Sequence, residues 1–206
     1  MSEKKPINFQ LIIIWVTIFL DLMGLTLIIP FINEFVEQLG GDERHAGFLL
    51  GNYAVMQFVF APVLGKISDK YGRKPVILFG LMGACIAFLI FGLANQLWLL
   101  FASRMLAGLS NANISVAQAY LADITPRVER AGKMGIIQAA FSLGFIVGFP
   151  IGGILAEHFS VAAPSLLASG LSLVNGIFAL VLLPESLKPE NRNSGPLKIN
   201  PLSIAF

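Results

Sequence analysis

The sequence has little charge and almost no cysteine. Charged residues make up 13% of its 206 residues, whereas hydrophobic residues make up 56%, and an ordinary soluble domain is roughly 25% charged. With a mean hydropathy of +0.78, the chain has too few polar side chains to cover a water-soluble globule. The single cysteine, Cys85, excludes a secreted disulfide scaffold. A net charge of +2 without a basic stripe argues against nucleic-acid binding. The composition therefore predicts an integral membrane protein.

Six segments are apolar enough to cross a bilayer as helices, which takes roughly 20 residues each. They are residues 9–33, 46–67, 76–94, 97–121, 134–156 and 164–184. Segments of about ten residues with alternating polarity, which mark an outer-membrane barrel, are absent from the sequence. We therefore predict an all-α integral membrane fold with an N-terminal tail over 1–8 and a C-terminal tail over 185–206.

Lysine and arginine are distributed unequally between the two sides of these spans. Most of the 14 fall in the tails and in the loops after the second and fourth spans: Lys4, Lys5, Lys66, Lys70, Arg73, Lys74, Arg127, Arg130, Lys133, Lys188, Arg192 and Lys198. The opposite side carries only Arg44, and Arg104 lies inside a span. Because positive loops stay on the cytoplasmic side, we predict that both termini are cytoplasmic.

A weak internal repeat relates the second span to the fifth. A shift of 88 residues aligns Gly47 with Gly135, and residues 62–65 with residues 150–153. The two spans run in opposite directions, so the copies would be inverted. Inverted three-plus-three repeats are typical of secondary transporters. Chance alignment of small apolar residues is the alternative.

The loop after the second span, residues 65–75, combines glycine with charge. Gly65, Asp69 and Arg73 are spaced four residues apart and share one helix face. Gly72 suits the left-handed conformation that ends a helix. The plain interpretation is a topology signal with helix caps. The sharper hypothesis is a conformational latch formed by Gly65, Asp69, Gly72 and Arg73, in which Asp69 meets a helix N-terminus elsewhere.

Asp21 and Arg104 are the charged residues well inside the predicted spans. At 1.5 Å per residue, they lie roughly 12 Å and 10 Å from the outer ends of the first and fourth spans. Each costs roughly 2.5–3.5 kcal/mol to insert, which pairing or a wet cavity offsets, and such charges mark ion pathways. The functional hypothesis is that Asp21 binds and releases a proton while Arg104 sets the local field. The alternative is a static structural ion pair.

Polar residues on three spans are candidates for a substrate cavity. On the fourth span, Arg104, Asn111, Ser115 and Gln118 follow one helix face. The second and fifth spans add further polar residues: Asn52, Tyr53, Gln57, Gln138 and Ser142. The alternative is interhelical hydrogen bonding, worth only about 0.6 kcal/mol per bond.

Several motifs in chain order resemble those of the major facilitator superfamily. Residues 65–74 are similar to its loop between the second and third helices, and Arg104 to Gly108 resemble its fourth-helix motif. Residues 21–24 with Pro30, and 123–126 with Arg130, resemble bacterial drug/proton antiporters of the tetracycline efflux type. The fifth-helix antiporter motif is represented by Gly144, Gly148, Pro150, Gly152 and Gly153. Here Phe149 separates Gly148 from the proline, which in the family follows that glycine directly.

This resemblance extends to about residue 187 and implies one half of a twelve-helix transporter. It implies proton-coupled export of drugs or other small amphipathic molecules by alternating access, hence antibiotic resistance. The energy source would be the proton gradient, without a cofactor. The expected location is the bacterial inner membrane. Expected partners are the lipid bilayer, a small-molecule substrate, and a missing C-terminal half or a second copy, but no nucleic acid.

Two other functions compete with the transporter hypothesis. A truncated or half-size product without independent transport is one alternative, because six helices form only one wall of such a cavity. An intramembrane enzyme is the remote alternative, since its chemistry needs a nucleophile with a base in reach. No histidine lies inside a predicted span. His45 and His158 lie near the outer loops and do not suggest a metal site, so we expect neither an enzyme nor a bound metal.

Overall fold

The computed structural model describes residues 7–111 and 113–192, which form helices joined by short turns and contain no strand. The helices are α1 (Ile7–Ile28), α2 (Ile32–Gln38), α3 (Glu43–Tyr71), α4 (Arg73–Gly92), α5 (Leu97–Asn111), α6 (Asn113–Ile124), α7 (Arg130–His158) and α8 (Ala163–Leu182). Short 3₁₀ turns occupy Ile29–Phe31 and Pro189–Asn191. Most of the predicted N-terminal tail (1–8) and most of the predicted C-terminal tail (185–206) lie outside the described residues, and α1 begins at Ile7, within the predicted N-terminal tail.

Five helical stretches of the described chain are long and apolar enough to cross a membrane. They are Phe9–Gln38, Glu43–Tyr71, Arg73–Gly92, Arg130–His158 and Ala163–Leu182, and they overlap all the predicted spans except the fourth. That span, 97–121, is covered by α5 and α6, which have 15 and 12 residues and flank residue 112, outside the described residues. Neither helix alone reaches the length needed to span, so the fourth span stays a prediction.

The first apolar stretch is divided near its outer end. A 3₁₀ turn with Pro30 at its start separates α1 from α2. Proline lacks the N–H of a helical hydrogen bond and disfavours the α conformation of the residue before it. Beyond the turn, α2 buries Ile32, Phe35 and Val36 on one face, so α2 folds against the bundle.

A side-chain cap begins α3 at the same end of the bundle. The Asp42 carboxylate accepts a hydrogen bond from the backbone N–H of His45 at 3.1 Å, which satisfies one of the free donors of the first helical turn. The His45 ring lies 2.7 Å from the same carboxylate oxygen. The side-chain hydrogen bond with His45 lowers the pKa of the Asp42 carboxyl.

The helices pack in a regular set of pairs. α1 packs most extensively on α7, and α4 packs on α8. α3 packs on α5 and α6, while α1 also contacts α8 and α4 contacts α5 and α6. α3 and α7 are the least buried of the long apolar helices: 17% and 22% of their most apolar 18 residues are buried, against 61% for Phe9–Gln38. Both helices therefore present broad apolar faces outside the bundle.

Two large apolar clusters form the core. One cluster includes Ile14 and Ile18 of α1, and the other includes Leu27 and Ile28 of the same helix. Asp21 lies between these two pairs along α1. One turn before Asp21, the Thr17 hydroxyl donates to the Asn175 side chain of α8 at 3.3 Å. Buried polar side chains of α1 and α8 thus interrupt the apolar core.

Candidate functional site: a buried carboxylate and a buried arginine

Asp21 is buried at the centre of the described bundle. Its residue is 3% exposed, and its Oδ1 atom has no hydrogen-bond partner. It is carried by α1, which packs most on α7 and α8. Neither α7 from 134 to 156 nor α8 contains Asp, Glu, Lys, Arg or His. A carboxylate in such surroundings is costly when ionised, which makes the uncharged form accessible.

Arg104 is buried more completely than Asp21 and rests on aromatic rings. Only 1% of the residue is exposed, and its Nε and Nη2 atoms have no hydrogen-bond partner. The guanidinium carbon lies 4.5 Å from the ring centroid of Phe91 and 5.6 Å from that of Phe88. A desolvated cation–π contact is worth about 2 kcal/mol or more. Two such contacts are comparable to the roughly 2.5–3.5 kcal/mol cost of inserting an arginine.

The structure does not pair these two charges. The ion pairs among the described residues join Asp42 to His45 and Arg73 to Asp69 and Asp123. None of them involves Asp21 or Arg104, so the static ion pair considered from the sequence is absent. The Phe88 ring contacts Arg104 and also lies 3.0 Å from where a Cβ at Gly24, one turn after Asp21, would be. The two charged residues thus occupy one region of the bundle without neutralising each other by contact.

Most of the predicted cavity residues on the second and fourth spans lie at the seam between α3 and α5–α6. Asn111 donates to the Tyr53 hydroxyl at 3.0 Å, and Gln57 donates to the Asn111 carbonyl oxygen at 3.4 Å. Asn52 donates to the Phe101 carbonyl oxygen at 3.3 Å, and Ser115 to the Ala61 carbonyl oxygen at 3.5 Å. These bonds join the helices, which is the alternative role considered for them.

The remaining predicted cavity residues lie on the outside of the described bundle. Gln118 on α6 and Gln138 on α7 are exposed. Ser142 is also exposed and donates to the Gln138 carbonyl oxygen at 3.2 Å. They share no site with Asp21 in this arrangement, and their role in a cavity stays a prediction.

The glycines of α7 form the close contact between α7 and α1. A Cβ atom at Gly144 would lie 2.9 Å from the Leu22 Cβ, and one at Gly148 would lie 2.9 Å from the Met23 carbonyl oxygen. A Cβ at Gly152 would lie 2.8 Å from the Leu27 carbonyl carbon. Pro150 and Gly153 face elsewhere: Pro150 is exposed, and a Cβ at Gly153 would meet nothing within 4 Å. The spacing of four residues therefore brings two backbones together, as small residues do in membranes.

The loop between α3 and α4 is stabilised by ion pairs of Arg73 and contains Gly72, which has a positive φ angle. The Arg73 side chain lies 2.6 Å from Asp69 Oδ1 and 3.1 Å from Asp123 Oδ2. Gly72 has a φ of 108°, which side-chain-bearing residues rarely adopt. Its ψ of 158° is extended, so Gly72 is not in the left-handed helical conformation predicted for it. Gly65 leaves open space, with nothing within 4 Å of an added Cβ.

Sequence analysis missed Glu185 as part of this loop. Its carboxylate accepts from the backbone N–H groups of Arg73 at 2.8 Å and Lys74 at 3.2 Å, so it caps the N-terminus of α4. Asp69, proposed to meet a helix N-terminus, pairs with Arg73 instead. Tyr120 donates to the Pro184 carbonyl oxygen at 2.8 Å, which ties the same segment to α6. A glutamate directly after a predicted span (164–184) carries no sequence signal for this role.

Comparisons with known proteins agree with the helical architecture. Residues 14–205 match the model of the Major Facilitator Superfamily. The chain is 39% identical over 199 residues to the class C tetracycline resistance protein of Escherichia coli, covering 95% of this chain and 50% of that protein. It is 37% identical over 194 residues to multidrug resistance protein 2 of Bacillus subtilis (strain 168), covering 92% and 48%.

A solved structure with a similar fold is the crystal structure of the human organic anion transporter MFSD10 (TETRAN). It has a TM-score of 0.83 and 26% identity, covering 93% of this chain and 51% of that chain. This chain spans about half the length of the curated relatives it matches, and about half of the MFSD10 chain. The match over nearly the whole of its length, together with its apolar helices and buried charges, places this chain in the Major Facilitator Superfamily, a family of membrane transporters rather than enzymes.

Proposed function

We propose that this chain forms one half of a proton-coupled exporter of drugs or other small amphipathic molecules, working by alternating access. The observation that carries the proposal is Asp21, a buried carboxylate with an unpartnered oxygen in the middle of an apolar helix. A carboxyl group whose charged form is energetically costly in an apolar core is suited to taking up and releasing a proton. The buried Arg104 side chain contributes a positive electrostatic potential nearby. The proposed mechanism uses the proton gradient and requires no cofactor.

The packing pattern supports a three-plus-three inverted repeat. In such a repeat, α1 would correspond to α5–α6, α3 to α7, and α4 to α8. The contact of α1 with α7 would then be equivalent to the contacts of α3 with α5 and α6, and the contact of α4 with α8 would be equivalent to itself. Each of these contacts is observed. α3 and α7 both have 29 residues and each contains one proline, Pro62 or Pro150. This arrangement implies a sixth span across α5 and α6.

The exposed faces of α3 and α7 support a second six-helix unit as partner. These two helices are the least buried of the long apolar ones, and large apolar side chains such as Phe58 and Ile146 are about two-thirds exposed, at 65% and 66%. The missing C-terminal half of a longer protein, or a second copy, would cover them and supply the second cavity wall. The lysine and arginine distribution supports cytoplasmic termini and the bacterial inner membrane as the location.

Transport in everted membrane vesicles tests the proton-coupling proposal. Drug uptake driven by an imposed pH gradient is compared between the wild-type protein and Asp21→Asn. We expect Asp21→Asn to abolish gradient-driven uptake while substrate binding remains. Glu37→Gln, which neutralises an exposed acid of α2, is the matched control and should transport normally. Full gradient-driven uptake in Asp21→Asn would show that Asp21 is not the coupling group.

The alternative of a half-size product without independent transport is favoured by the same uncovered helices. The mass of the native protein in its own membranes separates the two. A band near twice 22.2 kDa supports the single-chain exporter. A band at 22.2 kDa requires cross-linking to a second copy or another partner, and failure to find one favours the inactive product.

A further inference from the structure

The Asp21-x-x-Gly24 spacing has a structural consequence at Phe88. A Cβ atom at Gly24 would lie 3.0 Å from Cε2 and 3.1 Å from Cζ of the Phe88 ring. Gly24 thus makes room for this ring one helical turn after Asp21. The Phe88 ring and the neighbouring Phe91 ring also contact Arg104. Phe88 therefore contacts both the segment of α1 that carries Asp21 and the guanidinium of α5.

Phe88 and Phe91 are themselves held in place by the core. Both rings are almost completely buried, at 1% and 0% exposed. Phe91 makes an edge-to-face contact with Phe35 of α2, with centroids 5.4 Å apart and planes at 77°. Neither ring can swing away without opening the apolar cluster around it. The rings are a fixed surface on which the guanidinium lies.

We propose that Phe88 and Phe91 form an aromatic seat that positions the Arg104 guanidinium and replaces a carboxylate as its partner. The seat stabilises the positive charge through the ring faces and leaves Asp21 free of an ion pair. A salt bridge would hold the Asp21 carboxylate in its charged form. The two phenylalanines are therefore positioning residues for the proton step, and this part of the inference rests on the proposed function.

Few other groups could take the role of the seat. On α3, Tyr53 is buried and its hydroxyl accepts a hydrogen bond from Asn111. On α4, Cys85 lies 3.4 Å from the Ser169 hydroxyl. On α6, Tyr120 and Asp123 lie at the far end, bonded to Pro184 and Arg73. α7 from 134 to 156 and α8 carry no charged residue. Within the described chain, the aromatic rings are the contacts of Arg104 that can compensate its charge.

Fluorination of one ring tests the seat without changing its shape. Replacing Phe91 by 3,4,5-trifluorophenylalanine removes most of the negative character of the ring face. We expect the melting temperature in detergent to fall by about 4–8 °C, because about one desolvated cation–π contact, worth about 2 kcal/mol, is lost. The same replacement at Phe79, which is on α4 but 57% exposed, is the matched control and should leave the melting temperature unchanged. Equal effects at both positions would overturn the proposal.

Two further measurements separate the seat from the proposed function. In an Arg104→Met background, fluorination at Phe91 should no longer lower the melting temperature, and a persisting fall would overturn the seat. In the fluorinated protein, gradient-driven transport should reach half of its maximal rate at a proton concentration about 3- to 10-fold higher than in the wild-type protein. The reason is that Arg104 becomes available to Asp21 and stabilises its charged form. An unmoved pH profile would overturn the positioning role. If the melting effect holds but wild-type transport ignores pH, the proposed function fails and the seat stands.

Discussion

Adjacent glycines on α7 allow the helix contact with α1 to be tested by one pair of substitutions. A Cβ atom at Gly152 would lie 2.8 Å from the carbonyl carbon and 2.9 Å from the Cα of Leu27, whereas one at Gly153 would meet nothing within 4 Å. The obstacle at Gly152 is backbone, which cannot rotate away as a side chain can. The same change, Gly→Ala, should therefore have different consequences at the two positions.

The expected magnitude follows from two opposing terms. Replacing glycine by alanine inside a helix stabilises it by about 1 kcal/mol, and this gain applies at both sites. Overpacking at a close contact costs about 1–3 kcal/mol, and this cost applies only at Gly152. Gly152→Ala should thus be less stable than Gly153→Ala by about 1–3 kcal/mol. At about 2–4 °C per kcal/mol for a chain of this size, a difference of 2 kcal/mol corresponds to about 4–8 °C.

Thermal melting of both variants in detergent provides the assay. Tryptophan fluorescence is a suitable signal because Trp15 on α1 stacks on Phe19, with ring centroids 5.5 Å apart, and so reports the packing of that helix. Gly153→Ala serves as the control for helix propensity. Equal melting temperatures, or a higher one for Gly152→Ala, would refute the close approach of α1 and α7.

Two other contacts make quantitative predictions. Glu185→Gln removes the charge from the cap on α4 and should cost about 1–2 kcal/mol of unfolding free energy, whereas the exposed Glu190→Gln should be neutral; equal melting curves would exclude the cap. Tyr53→Phe removes the acceptor of the Asn111 bond and should cost about 0.6 kcal/mol, the average for interhelical bonds in membranes. In the Tyr53→Phe background, Asn111→Leu should cause no further loss from this hydrogen bond, because the bond is already broken. If the losses of the two single variants add up fully in a melting experiment, the bond is excluded.

Most of the helical stretches could be predicted because they depend on hydropathy, which is a property of the sequence alone. Long uncharged runs predict helices because a chain in lipid must satisfy its backbone polar groups internally. Pro30 illustrates the limit of this reasoning: it was recognised as part of a motif, yet the break it introduces between α1 and α2 was not predicted. The hydropathy of the run carries no information on a local turn of this kind.

The depth of Asp21 and Arg104 could be counted along their helices, because each residue advances the chain by about 1.5 Å. The side chains that contact them could not be predicted, because depth does not specify which way a side chain points around the helix axis. The alternative of a static ion pair between them was based on their similar depth. Tertiary packing instead places Phe88 and Phe91 on the guanidinium.

What the sequence by itself determined is the membrane class, the family, and most of the helical stretches, since hydropathy and motif spacing are local properties. What only the tertiary structure decided is which residues meet across helices. Gly152 approaches Leu27, and Glu185 reaches the start of α4 from more than a hundred residues away. These contacts depend on how rigid helices pack around one another, and that arrangement is set by the whole bundle at once.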